Sequence, residues 1–478
     1  MTSNPLEQWH WPPRYDNYRP KDNELYWFPH RETMSPAERD VHILKRIQQV
    51  MEYAYERSLF YRRKWDEAGV QPQDIQSLED FEAVPPITKQ ELREDQETNP
   101  PFGSYLCVDP GDVHHVHGTS GTTGRPTAFG ISRHDWTAIA NAHARVMWSM
   151  GIRPTDTVFF GAFFSLYMGS WGALIGAERL GATTFPFGAG VPGQTRRAVV
   201  WMRQMRPTVF YGTPSYALYL AETAEEMGVD PRDFGLRIMF FSGEPGASVR
   251  PIRDRLEQLY GAQVFDSGSM AEVGPWMNLG ETTGRAGMLC WQDLVYTEVA
   301  DPQTHRRVPY GAEGTPIYTT LERTSQPMIR LLSNDLTRWE EPRSPCGRTY
   351  PVLPQGIYGR IDDMFTVRGE NIYPSAIDEI AMTLPYYGGE HRIILSRSDA
   401  MDELTVQVEH DAALLATGED VLHEWRRAAE SEFTTALGVR TTVLPVSPGT
   451  FDRTEMKANR VVDDRDLWRQ LMADNSQR

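Results

Sequence analysis

Cysteine is scarce in this 478-residue chain: there are three, Cys107, Cys290 and Cys346, far apart and without a CxxC pair. That excludes a disulfide framework and a clustered thiolate metal site. Basic residues are also in deficit, with 48 Lys and Arg against 65 Asp and Glu, for a net charge of -17. So acidic a chain has no footprint for a nucleic-acid backbone or an anionic membrane, and neither partner is expected. No apolar run approaches the roughly 20 residues of a membrane span. The start, MTSNPLEQWHWPPRYDNY, has no basic segment followed by an apolar one. Internal repeats and low-complexity tracts are lacking too, and a reduced, cytoplasmic protein is the default expectation.

What is present is the mix of a globular enzyme, 40% hydrophobic and 24% charged, long enough for several domains. Residues 1–34, rich in Pro, Trp, Tyr and charge, read as an irregular arm over the surface. From Ser35 the pattern turns helical, with Leu44, Ile47, Val50, Met51 and Tyr55 on one stripe. The middle repeats one theme, a short β-rich run ending in small polar residues: TVFFGAFF, TVFYGTPS, IMFFSGEPG and AQVFDSGS. A helical stripe after Ser248 and Pro251 joins the last two. Strand, loop, helix, strand is the grammar of an α/β fold with a mainly parallel sheet flanked by helices, whose ligands sit beyond the carboxyl ends of the strands. Past GRIDDMFTVRGENIYP the order becomes that of a small α+β unit: a helix near Pro374, strands HRIILS and ELTVQVEH, a helix from about Val421 to Leu437, and a strand TTVLPVS. Domains are therefore expected at 35–360 and 361–478.

HGTSGTTGRPT, residues 117–127, is the most pointed local signal. It is not a Walker A loop, because Arg125-Pro126 stand where Lys and a hydroxyl residue belong. Its amides and hydroxyls suit a phosphate cradle, but its composition suits a flexible linker equally. HHVH just before it reads as an alternating strand; nearby acidic or thiolate ligands that would complete a metal site with His114, His115 and His117 are lacking, as are cysteine neighbours for Cys346.

The motifs taken together decide the matter. TSGTTGRPT, SGEPG at 242–246, FDSGSMAEVG with Glu272, PMIRLLSNDLTR with Asp335, GRIDDMFTVRGENIYP, and DRTEMKANRVVD with Lys457 occur in the order of the adenylate-forming (acyl-CoA synthetase) superfamily. YAYERSLFYRRKWDEAGV and YGTPSY narrow the resemblance to its phenylacetate-CoA ligase-like family, over residues 35–465. The resemblance implies a large adenylate-forming domain, a small mobile C-terminal domain, and a two-step reaction. A carboxylate attacks the α-phosphate of ATP, pyrophosphate leaves with magnesium, and coenzyme A takes the acyl group. It implies that Thr119, Ser120, Gly121, Thr122, Thr123, Gly124 and Arg125 hold phosphates and that Glu272 binds Mg2+. Ser242, Gly243, Glu244, Pro245, Asp266, Ser267 and Gly268 would border adenine, and Asp335 and Arg360 the ribose. Lys457 would catalyse adenylation, Asp362 would be the hinge, and Gly369 would reach the thiol tunnel. Phe163, Phe164, Tyr167 and Trp171, with Tyr211, Gly212 and Pro214, would enclose the acid, and their rings favour an aryl or arylacetic substrate. A homodimer is one assembly the sequence leaves open.

The resemblance breaks at one point. Relatives carry an aromatic residue and a hydroxyl where this chain has Gly268 and Ala271. Losing a base stack costs about 1 to 3 kcal/mol, and losing a hydrogen bond to a charged phosphate about 1.5 to 3. Three readings follow: a variant adenine pocket in which Phe240, Phe241 or Phe265 substitutes, delivery of the adenylate to an amine or a carrier protein, or a non-catalytic nucleotide binder. Retention of Glu272, Asp335, Arg360 and Lys457 opposes the last.

Overall fold

The computed structural model describes residues 11–119, 127–189, 193–244, 246–274, 278–368, 370–398, 401–416, 418–451 and 460–465. The chain divides into two compact units, Met1–Ser248 with Leu256–Ile357, and Val249–Arg255 with Tyr358–Arg478.

The first unit is built on an eight-stranded sheet. Five of its strands are parallel, in the spatial order Thr183–Phe185, Thr157–Phe160, Val209–Gly212, Ile238–Phe241 and Gln263–Gly268. These are the β-rich runs of the sequence. TVFFGAFF is a strand only to Phe160, whereas AQVFDSGS continues as strand to Gly268. Because the sheet is covered on both faces, Val209–Gly212 and Ile238–Phe241 are buried at every position. The helices Arg133–Ser149 and Met168–Leu180 pack on each other. A second, antiparallel sheet joins Val295–Ala300, Glu313–Thr320 and Asp335–Arg338.

Helix Pro36–Arg57 starts where Ser35 caps the amide of Glu38. Its buried face is Ile43, Ile47, Val50, Met51 and Ala54, with Leu44 and Tyr55 at the margin of that stripe. Residues 11–28 of the N-terminal arm are irregular and mostly exposed or partly exposed, but the arm is anchored inward at its end. Trp27 is fully buried, and Glu32 forms buried ion pairs with Arg145 (3.1 Å) and Arg348 (2.8 Å). Arg31 reaches Glu322 at 3.2 Å, and Arg145 reaches Asp293 at 2.7 Å. Charges that read as solvent-facing are interior because they neutralise one another.

The second unit has a four-stranded sheet in the order Thr441–Val446, Met401–His410, Tyr387–Ser398, Val461–Asp463. Helices Pro374–Thr383 and Glu419–Leu437 contribute Ile377, Ala381, Trp425 and Phe433 to its separate core. Helix and strand order agree with the sequence reading.

Candidate active site

The carboxyl ends of three parallel strands converge on one cavity of ≈ 50 Å³. Tyr211 comes from the strand Val209–Gly212, Ser242 and Gly243 from the turn after Ile238–Phe241, and Ser267 and Gly268 from Gln263–Gly268. Ser269, Met270 and Ala271 continue that wall, and Met168 and Gly169, with Tyr167 just before their helix, and His143 from another helix complete the lining. This is the crevice where an open α/β sheet binds its ligands.

The cavity wall is polar in one specific place. The hydroxyls of Tyr211 and Ser242 lie 2.7 Å apart, and the Tyr167 hydroxyl hydrogen-bonds with both. Burial raises the pKa of both phenols, so they are neutral hydroxyls near pH 7. Gly243 makes the cluster possible: its φ is +96°, and a Cβ there would stand 3.0 Å from the Tyr167 oxygen.

Glu272 follows Ala271 and is buried, with 5% of its surface exposed. Its carbonyl accepts from Arg323 Nη1, and Lys89 Nζ stands 3.7 Å from its Oε1. Lys89 opens the helix Lys89–Thr98 behind a Thr88–Glu91 capping box. The preceding Ile87 is fixed to Arg330 and Leu332 by backbone bonds of 2.9 Å each. Neither Lys89 nor Arg323 is flagged by the motifs, because each sits far from Glu272 in sequence. Among the described residues no three His, Cys, Asp or Glu side chains cluster as a metal cage. One buried carboxylate beside an ammonium still fits Mg2+, which characteristically takes one or two carboxylates and fills its shell with phosphate and water oxygens.

Other residues singled out in the sequence fall as follows. Thr119 pairs with Thr127 across the two ends of the glycine- and threonine-rich segment: its amide donates to Thr127 O (3.1 Å), and its hydroxyl accepts from the Thr127 amide at 3.3 Å. Ser120, Gly121, Thr122, Thr123, Gly124, Arg125, Pro245, Gly369 and Lys457 lie outside the described residues. The Glu244 carboxylate accepts from the Ser215 amide at 2.8 Å and so caps the helix Pro214–Glu226. Asp266 is buried, its amide bonded to Glu281 at 2.9 Å, and Ser267 Oγ donates to Phe241 O. Asp335 begins its strand in the first unit, and Arg360 lies in the second, 3.6 Å from Asp363. Asp362 falls in the single turn Ile361–Asp363.

The aromatic set is not brought together as one enclosure. Tyr167 and Tyr211 line the cavity, whereas Phe163, Phe164, Trp171, Gly212 and Pro214 are not among its lining residues. Trp171 packs on Phe164 at 5.3 Å and donates to Ser165 O. The strand ends at Phe160 and the next helix starts only at Met168, so the intervening rings follow the loop and not the strand face. Phe240, Phe241 and Phe265 are fully buried in the sheet and offer no face to adenine. A Cβ at Gly268 would meet Leu279 and Met288 at ordinary contact distance, 3.6 and 4.0 Å. In the strand Val113–Gly118, His114 is exposed, His115 stacks on Trp136 with ring centroids 3.7 Å apart, and His117 is buried.

A parallel sheet with a polar cavity and a buried carboxylate at its strand ends, followed by a separate α+β unit, is the architecture of an adenylate-forming ligase. Comparison with known proteins gives the same answer. The AMP-binding enzyme model matches residues 43–318, and the AMP-binding enzyme C-terminal domain matches 369–465. The chain belongs to the AMP-binding enzyme family, as an acyl-CoA ligase. It is 34% identical to the phenylacetate-coenzyme A ligase of Escherichia coli K12, over 91% of this chain and 97% of that one. It is 33% identical to the phenylacetate-coenzyme A ligase of Pseudomonas putida, over 89% and 94%. Among solved structures, 2-hydroxyisobutyryl-CoA ligase in complex with 2-HIB-AMP is 59% identical, with a TM-score of 0.93 and 99% of both chains covered.

Proposed function

We propose that this acyl-CoA ligase activates a short, branched 2-hydroxy carboxylic acid, in place of the aryl or arylacetic acid that its aromatic residues suggest. One observation carries the reading: the cavity is small and one wall is made of hydroxyls. Its ≈ 50 Å³ is a third of the roughly 150 Å³ that holds a benzene ring in a protein core. A four-carbon acid suits that space better than a phenyl ring does. Tyr167, Tyr211 and Ser242 form one hydrogen-bonded cluster, and hydroxyl oxygens with two lone pairs each retain acceptor capacity for a polar substituent. The 59% identity to a ligase named for 2-hydroxyisobutyrate supports the same choice.

In this reading ATP lies across the strand ends, its β- and γ-phosphates in the loop from Thr119 to Arg125. Glu272 would hold Mg2+, which would supply charge neutralisation for the pyrophosphate. Arg323 fixes the Glu272 backbone, and Lys89 adds a second cation beside it. Lys457 supplies an ammonium to the carboxylate and the α-phosphate during adenylation, and the small unit then turns about Asp362 to bring Gly369 to the thiol. Leu279 and Met288 offer the apolar surface nearest the missing aromatic at Gly268.

Two measurements follow. Specificity constants for CoA-thioester formation should be highest with 2-hydroxyisobutyrate, lower with isobutyrate, and lowest with phenylacetate. A preference for phenylacetate would restore the aryl reading. Lys89→Ala should weaken ATP binding by about tenfold in calorimetry, the scale of one charge-assisted contact, with Lys89→Arg recovering most of it. Unchanged affinity in the alanine variant would reduce Lys89 to an ion-pair partner of Glu272.

A further inference from the structure

His143 is the one titratable ring in the cavity wall that the reaction scheme does not use. It sits on the Arg133–Ser149 helix, 2% exposed, and burial pushes its pKa down to about 4, so the ring is neutral at working pH. Its tautomer follows from geometry. Nδ1 lies 2.9 Å from the carbonyl oxygen of Ile139, one turn back on the same helix. A carbonyl can only accept, so Nδ1 carries the proton and donates, and Nε2 is left with a lone pair.

The position of that lone pair is fixed by two glycines. A Cβ on Gly172 would stand 2.6 Å from Nε2, and one on Gly176 would stand 2.4 Å from the His143 Cβ. The imidazole therefore occupies the space left by two missing side chains on the Met168–Leu180 helix. Gly172 lies three and four residues beyond Gly169 and Met168, on the face of that helix that lines the cavity. His143 is thus a neutral acceptor in the cavity wall, where the hydroxyls of Tyr167, Tyr211 and Ser242 already bond to one another and Ser267 donates to Phe241 O.

We propose that His143 is a specificity residue that accepts, through Nε2, the hydrogen bond of the substrate's 2-hydroxyl group. The inference deepens the functional reading above and rests on it. A neutral acceptor fits an alcohol, which must donate its proton somewhere. An acid lacking the hydroxyl leaves the buried Nε2 without a partner, which is how a hydrogen-bonding site rejects such an analogue.

The test compares 2-hydroxyisobutyrate with isobutyrate, which differ only in that hydroxyl, on the wild-type enzyme and on His143→Leu and His143→Gln. Wild type is expected to favour the hydroxy acid. His143→Leu, which has no acceptor, should lower that preference at least tenfold, and His143→Gln, whose amide oxygen can accept, should keep most of it. Equal losses on both acids in His143→Leu, or an undiminished preference, would overturn the assignment while leaving the substrate reading intact. No hydroxyl preference in wild type would instead remove the substrate reading itself. A second readout does not depend on the variants folding. In ¹⁵N-histidine-labelled wild type, the His143 Nε2 resonance should shift on adding 2-hydroxyisobutyrate with ATP and Mg2+, and not with isobutyrate. Equal responses to the two acids would count against the contact.

Discussion

Lys457→Ala lowers acid-dependent pyrophosphate release by roughly two to three orders of magnitude, the scale of losing one preorganised group aimed at charge that grows in the transition state. Transfer of the adenylyl group to the carboxylate depends mainly on positioning and electrostatics, so losing the ammonium that Lys457 is proposed to set at the α-phosphate should act on the rate of this step. The second unit pins both flanks of the segment that carries this lysine. The Phe451 amide donates to Glu409 at 2.7 Å, and Arg460 pairs with Glu390 at 2.5 Å. The same variant should form thioester normally from supplied acyl-adenylate and CoA, since no phosphoryl bond changes in that half-reaction. The check is pyrophosphate release and single-turnover thioester formation measured side by side. Unchanged adenylation would remove Lys457 from the mechanism.

The largest expected effect on stability lies far from the chemistry. Asp293→Ala should destabilise the first unit by about 3 to 5 kcal/mol, the cost of removing one member of a buried ion-pair network in which Arg145 keeps only Glu32 and Arg31 keeps only Glu322 among the described residues. Asp293 has no exposed surface, accepts from Arg145 at 2.7 and 3.2 Å, and accepts from the Tyr350 hydroxyl at 2.6 Å. Burial alone would raise the Asp293 pKa, but Arg145 and Arg31 outweigh it and hold the group at about 2, below its ordinary 3.8. Its folded pKa is depressed, so its contribution is complete above pH 4 and disappears as pH falls toward 2. Urea denaturation of wild type and variant at pH 7 and pH 3 measures both claims. The gap between the two proteins should narrow at the lower pH, and a constant gap would dissociate the ion network from the acid sensitivity.

Much of this was legible in the sequence, for identifiable reasons. Four β-rich runs ending in small polar residues gave the parallel sheet, since a buried parallel strand must be apolar on both faces. The small unit was readable because its alternating strands and amphipathic helices each carry their own period. The cavity was half legible: Tyr211, Ser242, Gly243 and Gly268 lie on motifs, and the absent aromatic at Gly268 was visible as a letter. What failed was anything set by distant partners. Glu32 and Arg31 read as surface charge because the residues that neutralise them, Arg145, Arg348, Asp293 and Glu322, are more than a hundred positions away. His143 was invisible for the same reason, its place being made by Gly172 and Gly176 on another helix. Phe163 and Phe164 drew attention by composition, but composition does not say which way a loop turns its rings.

A competition assay tests most directly whether the size and polarity of the cavity select the acid. Enzyme, ATP, Mg2+ and CoA are supplied with equal concentrations of 2-hydroxyisobutyrate and phenylacetate, and the CoA thioesters are resolved by mass. The hydroxyacyl thioester is expected to predominate by at least tenfold. A product that is mainly phenylacetyl-CoA would contradict the assignment of the cavity and return the enzyme to aromatic acids.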